Sequence, residues 1–202
     1  MVENNTNNNT ANNNQSVTVS KKRDFILDGK VGEDTIRKIS EAIIDINRYD
    51  EEQEVKNSDY VRKPIELIIN TYGGSLYDAN LMIGVIETSK TPVHTYCHGK
   101  AMSAGFYIFA SGHKRFATPL ATFMYHDGSV GMHDTIHGLK YNLEHYTKLR
   151  DRYDNYMLQV TNLPKHIMDE KKRIKEDWYM FADEALIYGL VDEIIPFRNG
   201  SR

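Results

Sequence analysis

The sequence predicts an α/β fold built on a largely parallel sheet. Short runs rich in β-branched and aromatic residues, at 64–70 and 92–97, alternate with longer stretches whose apolar residues recur every three or four positions. Each of these two runs is followed by a small-residue turn, Gly73-Gly74-Ser75 in one case and the Gly99 to Gly105 stretch in the other. Repeated β-turn-α units of this kind make a parallel sheet, and such sheets place functional residues in the turns at the carboxyl ends of their strands.

The first strand is expected at 24–29, closed by Gly29. A helix opens at Gly32-Glu33-Asp34, with Ile36, Ile39, Ile43 and Ile46 on one apolar stripe and Arg37, Lys38, Glu41 and Asp45 outside it. Residues 48–63 hold the run Asp50-Glu51-Glu52-Gln53-Glu54 and read as a mobile, solvated loop. After the second strand, Ser75 reads as the N-cap of a helix carrying Leu76, Ala79, Met82, Ile83 and Ile86. The third strand leads through the small-residue turn into Phe106-Tyr107-Ile108-Phe109-Ala110, stopped by Ser111-Gly112. Strands at 115–117 and 121–125 flank Thr118-Pro119, and the second of them ends in His126-Asp127-Gly128. One long helical pattern covers 135–160, with Leu139, Leu143, Tyr146, Leu149 and Tyr153 in steps of three and four. A helix this long in a small domain projects from it or packs on a partner. A charged helix at 165–175, a small helix at 182–188 and a last strand at 191–195 complete the pattern.

Composition narrows the function classes. The formal net charge is −3 and no basic stripe stands out, so no nucleic-acid partner is expected. No apolar run approaches the roughly 18 residues of a membrane span, and no signal peptide is visible, so no membrane partner and a cytoplasmic location are expected. The single Cys97, in an apolar strand, reads as an inert core thiol. Eight of the first fourteen residues are asparagine. Residues 1–20 therefore read as a disordered tail and 21–202 as one domain.

Strand, small-residue turn, serine, helix puts the Ser103 hydroxyl where backbone N–H groups lack intrahelical partners. That is half of an acyl-transfer site, which further needs a base, an orienting acid and a second N–H donor. A plain helix-capping serine is the competing reading. Among eight histidines, His126 alone ends an apolar strand at a turn. His133 and His137 share a helical spacing without the third ligand of a zinc motif. Asp177 precedes an aromatic pair, with Glu176, Asp183 and Asp134 as rival carboxylates.

These pieces resemble the proteolytic subunit of the Clp protease family, over about 24–197. The segments that carry the resemblance are 25–31, Leu67 through Gly73-Gly74-Ser75, 99–105, Phe123-Met124-Tyr125-His126, and Asp177 through Glu184-Ala185 to Tyr188-Gly189-Leu190-Val191-Asp192. The resemblance implies a crotonase-like fold with a projecting long helix and a serine endopeptidase without cofactor. It implies a Ser103–His126–Asp177 triad, with the backbone amides of Gly74 and Ala104 as the oxyanion hole. It also implies peptide or unfolded-protein substrates, a homo-oligomer of two stacked seven-membered rings, and an ATP-driven unfoldase as partner. Gly128 stands where most members carry proline, and 48–63 exceeds the usual loop. A crotonase-type acyl-CoA enzyme and a catalytically silent ring subunit are the alternatives.

Overall fold

The computed structural model describes residues 21–129 and 131–198; the tail expected at 1–20 lies outside them. The chain runs β1 (Asp24–Val31), α1 (Glu33–Lys56), β2 (Ile65–Gly74), α2 (Leu76–Glu87), β3 (Val93–Met102), α3 (Ala104–Ala110), β4 (Lys114–Ala117) and β5 (Thr122–Tyr125). It continues with α4 (Ile136–Val160), α5 (Lys165–Ile174), β6 (Trp178–Phe181), α6 (Ala182–Ile187) and β7 (Glu193–Ile194). Strands β1, β2, β3, β4 and β7 lie side by side in that order, all parallel. The alternation of small-residue turns and amphipathic helices produces the parallel sheet expected of it. Leu27, Leu67, Ile69 and Phe109 are fully buried within the core. Burial of each such side chain contributes roughly 1.5–3 kcal/mol.

The sheet forks where the site lies. The first half of β3, His94 to Cys97, pairs with β4; its second half, Lys100 to Met102, pairs with β5. β5 then pairs antiparallel with β6, Tyr125 opposite Trp178. The sequence pattern missed β6, because four residues flanked by charged and aromatic neighbours carry no usable periodicity. The residues just beyond this last pair, His126 after Tyr125 and Asp177 before Trp178, approach to 3.8 Å.

The loop expected at 48–63 is a correction. α1 continues through Arg48 to Lys56. Lys, Glu and Gln are good helix formers, and Lys56 lies 3.9 Å from Glu52 at i,i+4 spacing. Asp50, read as solvated, is fully buried. It accepts hydrogen bonds from both terminal nitrogens of Arg23, from Tyr60 at 2.6 Å and from Thr91 at 2.7 Å. One inward carboxylate thus turns a charged run into the end of a docked helix.

The long helix behaves as its pattern suggests. Thr135 caps α4 by accepting from the Gly138 N–H. Burial deepens along the stripe, from Leu143 at 63% exposed to Tyr153, Asp154 and Met157 buried. The first turns of α4 therefore stand away from the body; contact begins where His145 and Tyr146 meet Tyr77, and the second half is docked. Among the described residues, no helix is long and apolar enough to cross a membrane.

Candidate active site

Ser103 joins β3 to α3 with φ 53° and ψ −124°. It is one of two non-glycine residues with positive φ among the described residues. Such backbone costs on the order of 1–3 kcal/mol and persists only where its surroundings impose it. Here they do. The Ser103 N–H donates to Met124 O at 2.9 Å, and α3, whose seven residues are all buried, anchors the other side. The conformation turns the side chain out of the strand and away from capping. Ser103 holds the N-cap position but makes no capping bond with its side chain.

The Ser103 hydroxyl instead meets His126 Nε2 at 2.8 Å. His126 Nδ1 lies 3.8 Å from Asp177 Oδ1. With the ring proton on Nδ1, Nε2 accepts from the serine and Nδ1 faces the carboxylate. The first contact is a full hydrogen bond. The second is an ion-pair distance, beyond the 2.7–3.2 Å of a formed N–H···O bond. Asp177 is 48% exposed and His126 23%.

The rival carboxylates are engaged elsewhere or lie off the site. Glu176 pairs with Lys171 at 2.6 Å. Asp134 accepts from the Thr135 N–H and from Asn142. Asp183 lies in the first turn of α6. Four of the other histidines make contacts away from the site. His113 Nδ1 accepts from the Val93 N–H at 3.0 Å. His98 and His145 stack against Tyr96 and Tyr77, and His94 lies tilted against Phe116. No group of three His, Cys, Asp or Glu side chains that could hold a metal occurs among the described residues. Burial pushes the Cys97 thiol up to about 12, so it stays protonated.

The glycine turn lies directly against the serine. Gly73 has φ +107°, and a Cβ on it would fall 2.6 Å from Ser103 Cβ and 3.1 Å from Ala104 N. Gly74, at φ +154°, would push a Cβ to 2.1 Å from Val31 O. Thr71 locks the approach to this turn. Its hydroxyl accepts from the Gly73 N–H at 2.9 Å and bonds the Gly29 carbonyl. Ala104 opens α3, so its N–H has no intrahelical acceptor.

A cleft of about 520 Å³ opens at Ser103 and His126. Its wall combines Gly74, Met124 and Tyr107 from the body with Leu143, Tyr146 and Arg150 from α4. The sequence reading missed that α4 walls the cleft. It also missed that Arg150 Nη1 donates to Asp127, the residue after His126, at 2.8 Å. A helical stripe shows which face is apolar and leaves open which turn meets the site.

Comparison with known proteins adds to this geometry. A family model described as Clp protease matches residues 6–198. A protein of Deinococcus radiodurans named ATP-dependent Clp protease proteolytic subunit is 32% identical over 140 residues, which span 68% of this chain and 68% of that one.

Proposed function

The chain belongs to the Clp protease family and is a Clp-like serine endopeptidase, and we propose that Ser103, His126 and Asp177 carry its reaction within a peptidase unit formed by 21–202. The observation that supports this most directly is the 2.8 Å contact between Ser103 Oγ and His126 Nε2, on a serine released from its capping role. Ser103 Oγ attacks the scissile carbonyl while His126 Nε2 takes its proton. The C–N bond breaks as the imidazolium gives that proton to the leaving amine, which leaves an acyl-serine ester. Water, deprotonated by the same imidazole, attacks the ester, and the proton returns to Ser103 as the acid product departs. Asp177 orients the ring and stabilises the imidazolium. The N–H groups of Gly74 and Ala104 bind the oxyanion, each worth roughly 3–4 kcal/mol of barrier.

The assembly belongs to the same proposal. The exposed Leu139 and Leu143 on the projecting first turns of α4 form an apolar surface that a facing subunit would bury. We place the protein in two stacked seven-membered rings on the family's pattern. The relative's name speaks of an ATP-dependent protease, and for this chain the ATP would be used by a separate unfoldase that feeds it unfolded protein. The 3.8 Å gap between His126 and Asp177 fits a site whose acid is drawn in on assembly.

A fluorophosphonate probe tests the assignment, since only an activated serine reacts. The expected result is labelling at Ser103, absent in Ser103→Ala, with peptide hydrolysis down by several orders of magnitude and the fold unchanged. Full hydrolysis in the alanine variant would falsify the assignment. An unlabelled wild type that assembles would instead identify a silent ring subunit.

A further inference from the structure

We propose that Arg150 is a positioning residue for this reaction: it holds Asp127, the chain neighbour of His126, and cancels the negative charge that Asp127 would otherwise set beside the imidazole. The inference rests on His126 being the base.

β5 ends at Tyr125, and the chain from His126 to Ser129 has no regular structure. Gly128 in that stretch sits at φ +82°. No strand ladder therefore orients the segment that carries the imidazole. The Arg150 guanidinium does reach it, donating from Nη1 to Asp127 Oδ1 at 2.8 Å and from Nη2 to Asp151 Oδ1 at 3.2 Å. Both members of the Arg150–Asp127 pair are about two-thirds buried. Arg150 also lines the same cleft as Ser103 and His126.

Anchoring α4 does not account for this pair. One turn further on, Tyr153 donates to Leu76 O at 2.8 Å, and Asp154 accepts from Tyr125 at 2.7 Å and from Lys172 at 2.5 Å. These bonds already fix the docked half of the helix. Arg150 is moreover a poor contributor to stability, because its Nε is buried without an acceptor. What the ion pair does order is the His126 segment.

The charges around the cleft make the role measurable. Asp177 Oδ1 lies 3.8 Å from His126 Nδ1, and Asp127, next in the chain, and Arg150 of α4 line the same cleft as His126. Ser103 approaches from the β3–α3 turn and is neutral. Tyr107 of α3 and Tyr153 of α4 also line the cleft, and burial raises both so far that they stay neutral. Tyr72 and Tyr146 complete its titratable lining. Removing Arg150 leaves Asp127 uncompensated and favours the imidazolium. Removing the Asp127 charge leaves Arg150 in excess and disfavours it.

The test compares Arg150→Met, Arg150→Lys, Asp127→Asn and the double variant Asp127→Asn/Arg150→Met. Fluorophosphonate labelling of Ser103 is followed against pH, and the His126 imidazole is titrated by NMR on ¹³C-labelled histidine, assigned through His126→Gln. In Arg150→Met the acid limb and the NMR midpoint should both rise, by about 0.5 to 1 pH unit. Labelling at the optimum should fall by about tenfold. In Asp127→Asn, which leaves α4 untouched, the midpoint should move down. The double variant should return near the wild-type midpoint, and Arg150→Lys should recover most of the rate. A purely structural role moves no midpoint, so absent shifts, or shifts of the same sign in both single variants, overturn the proposal. The NMR arm reads the charge balance whether or not peptide is cleaved. Variant midpoints that move as stated, where the wild type neither labels nor cleaves, would uphold the coupling and refute the endopeptidase assignment alone.

Discussion

Replacing Gly73 by alanine should disable the nucleophile without substituting any reacting side chain. The added Cβ would stand 2.6 Å from Ser103 Cβ and 2.9 Å from Met102 O, where ordinary contacts begin at 3.4 Å. The atoms it meets are backbone or a Cβ, neither of which can swing aside, so Ser103 must retreat by about 1 Å. A displacement of that size at a reacting atom costs about 10²-fold in rate. The φ of +107° adds strain of about 1–3 kcal/mol, and the overlap adds about as much again. The expected outcome is a stability loss of about 2–6 kcal/mol with probe labelling down about a hundredfold in the molecules that stay folded. Gly29→Ala is the control. Its φ is +87°, but nothing lies within 4 Å of the added methyl. It should lose about 1–2 kcal/mol and label within a few-fold of wild type. Thermal unfolding and labelling rate on the same preparations decide the matter. A Gly73→Ala protein with wild-type melting and labelling would refute the close approach of the glycine turn to Ser103.

Asp177→Asn should preserve the fold and lower kcat by up to about 10⁴, because the amide favours the wrong imidazole tautomer; a near-wild-type rate would move the acid's role to another carboxylate. Ile136→Glu with Leu139→Glu, on the exposed start of α4 and outside the cleft wall, should split the particle and silence peptide cleavage together, read by sedimentation and a peptide assay on the same samples; a fully active monomer would end the compartment reading. Asp50→Ala should cost about 3–5 kcal/mol, since it leaves Arg23 without its buried partner. Burial alone would raise the Asp50 carboxyl, but hydrogen bonds from Arg23, Tyr60 and Thr91 outweigh it and hold the group below its ordinary value. A lowered folded value means that the contribution is fully present above about pH 4 and fades as pH falls through the folded value. The gap between wild type and Asp50→Ala in denaturant titrations should therefore be constant from pH 5 to 7 and close in stronger acid.

Local chemistry made several elements legible in the chain. Ser75 followed by an apolar stripe names both the start and the buried face of α2, and its hydroxyl accepts from Asp78 N at 3.2 Å. Thr135 names the start of α4 in the same way, and the steps from Leu139 to Tyr153 name its apolar stripe. These signals depend on neighbours three or four residues apart, so a single chain carries them in full. The extension of α1 through Arg48 to Lys56 was not legible in this way. Its decisive contact, Arg23 with Asp50, spans twenty-seven residues, and nothing local distinguishes a buried aspartate from a solvated one.

The same division runs through the site. By itself, the sequence determined the parallel α/β framework, the turns at Gly73-Gly74 and at Ser103, the strand end at His126, and the family to which these belong. Each is a matter of residue type in a local pattern. Only the tertiary structure decided that β3 forks between β4 and β5, that β6 returns antiparallel to carry Asp177 opposite His126, that Gly73 abuts Ser103, and that Arg150 reaches the His126 segment from α4. Those contacts join residues from 20 to more than 50 positions apart. They are set by strand register and helix docking, which depend on how the whole core packs and leave no mark on the residues immediately around each contact.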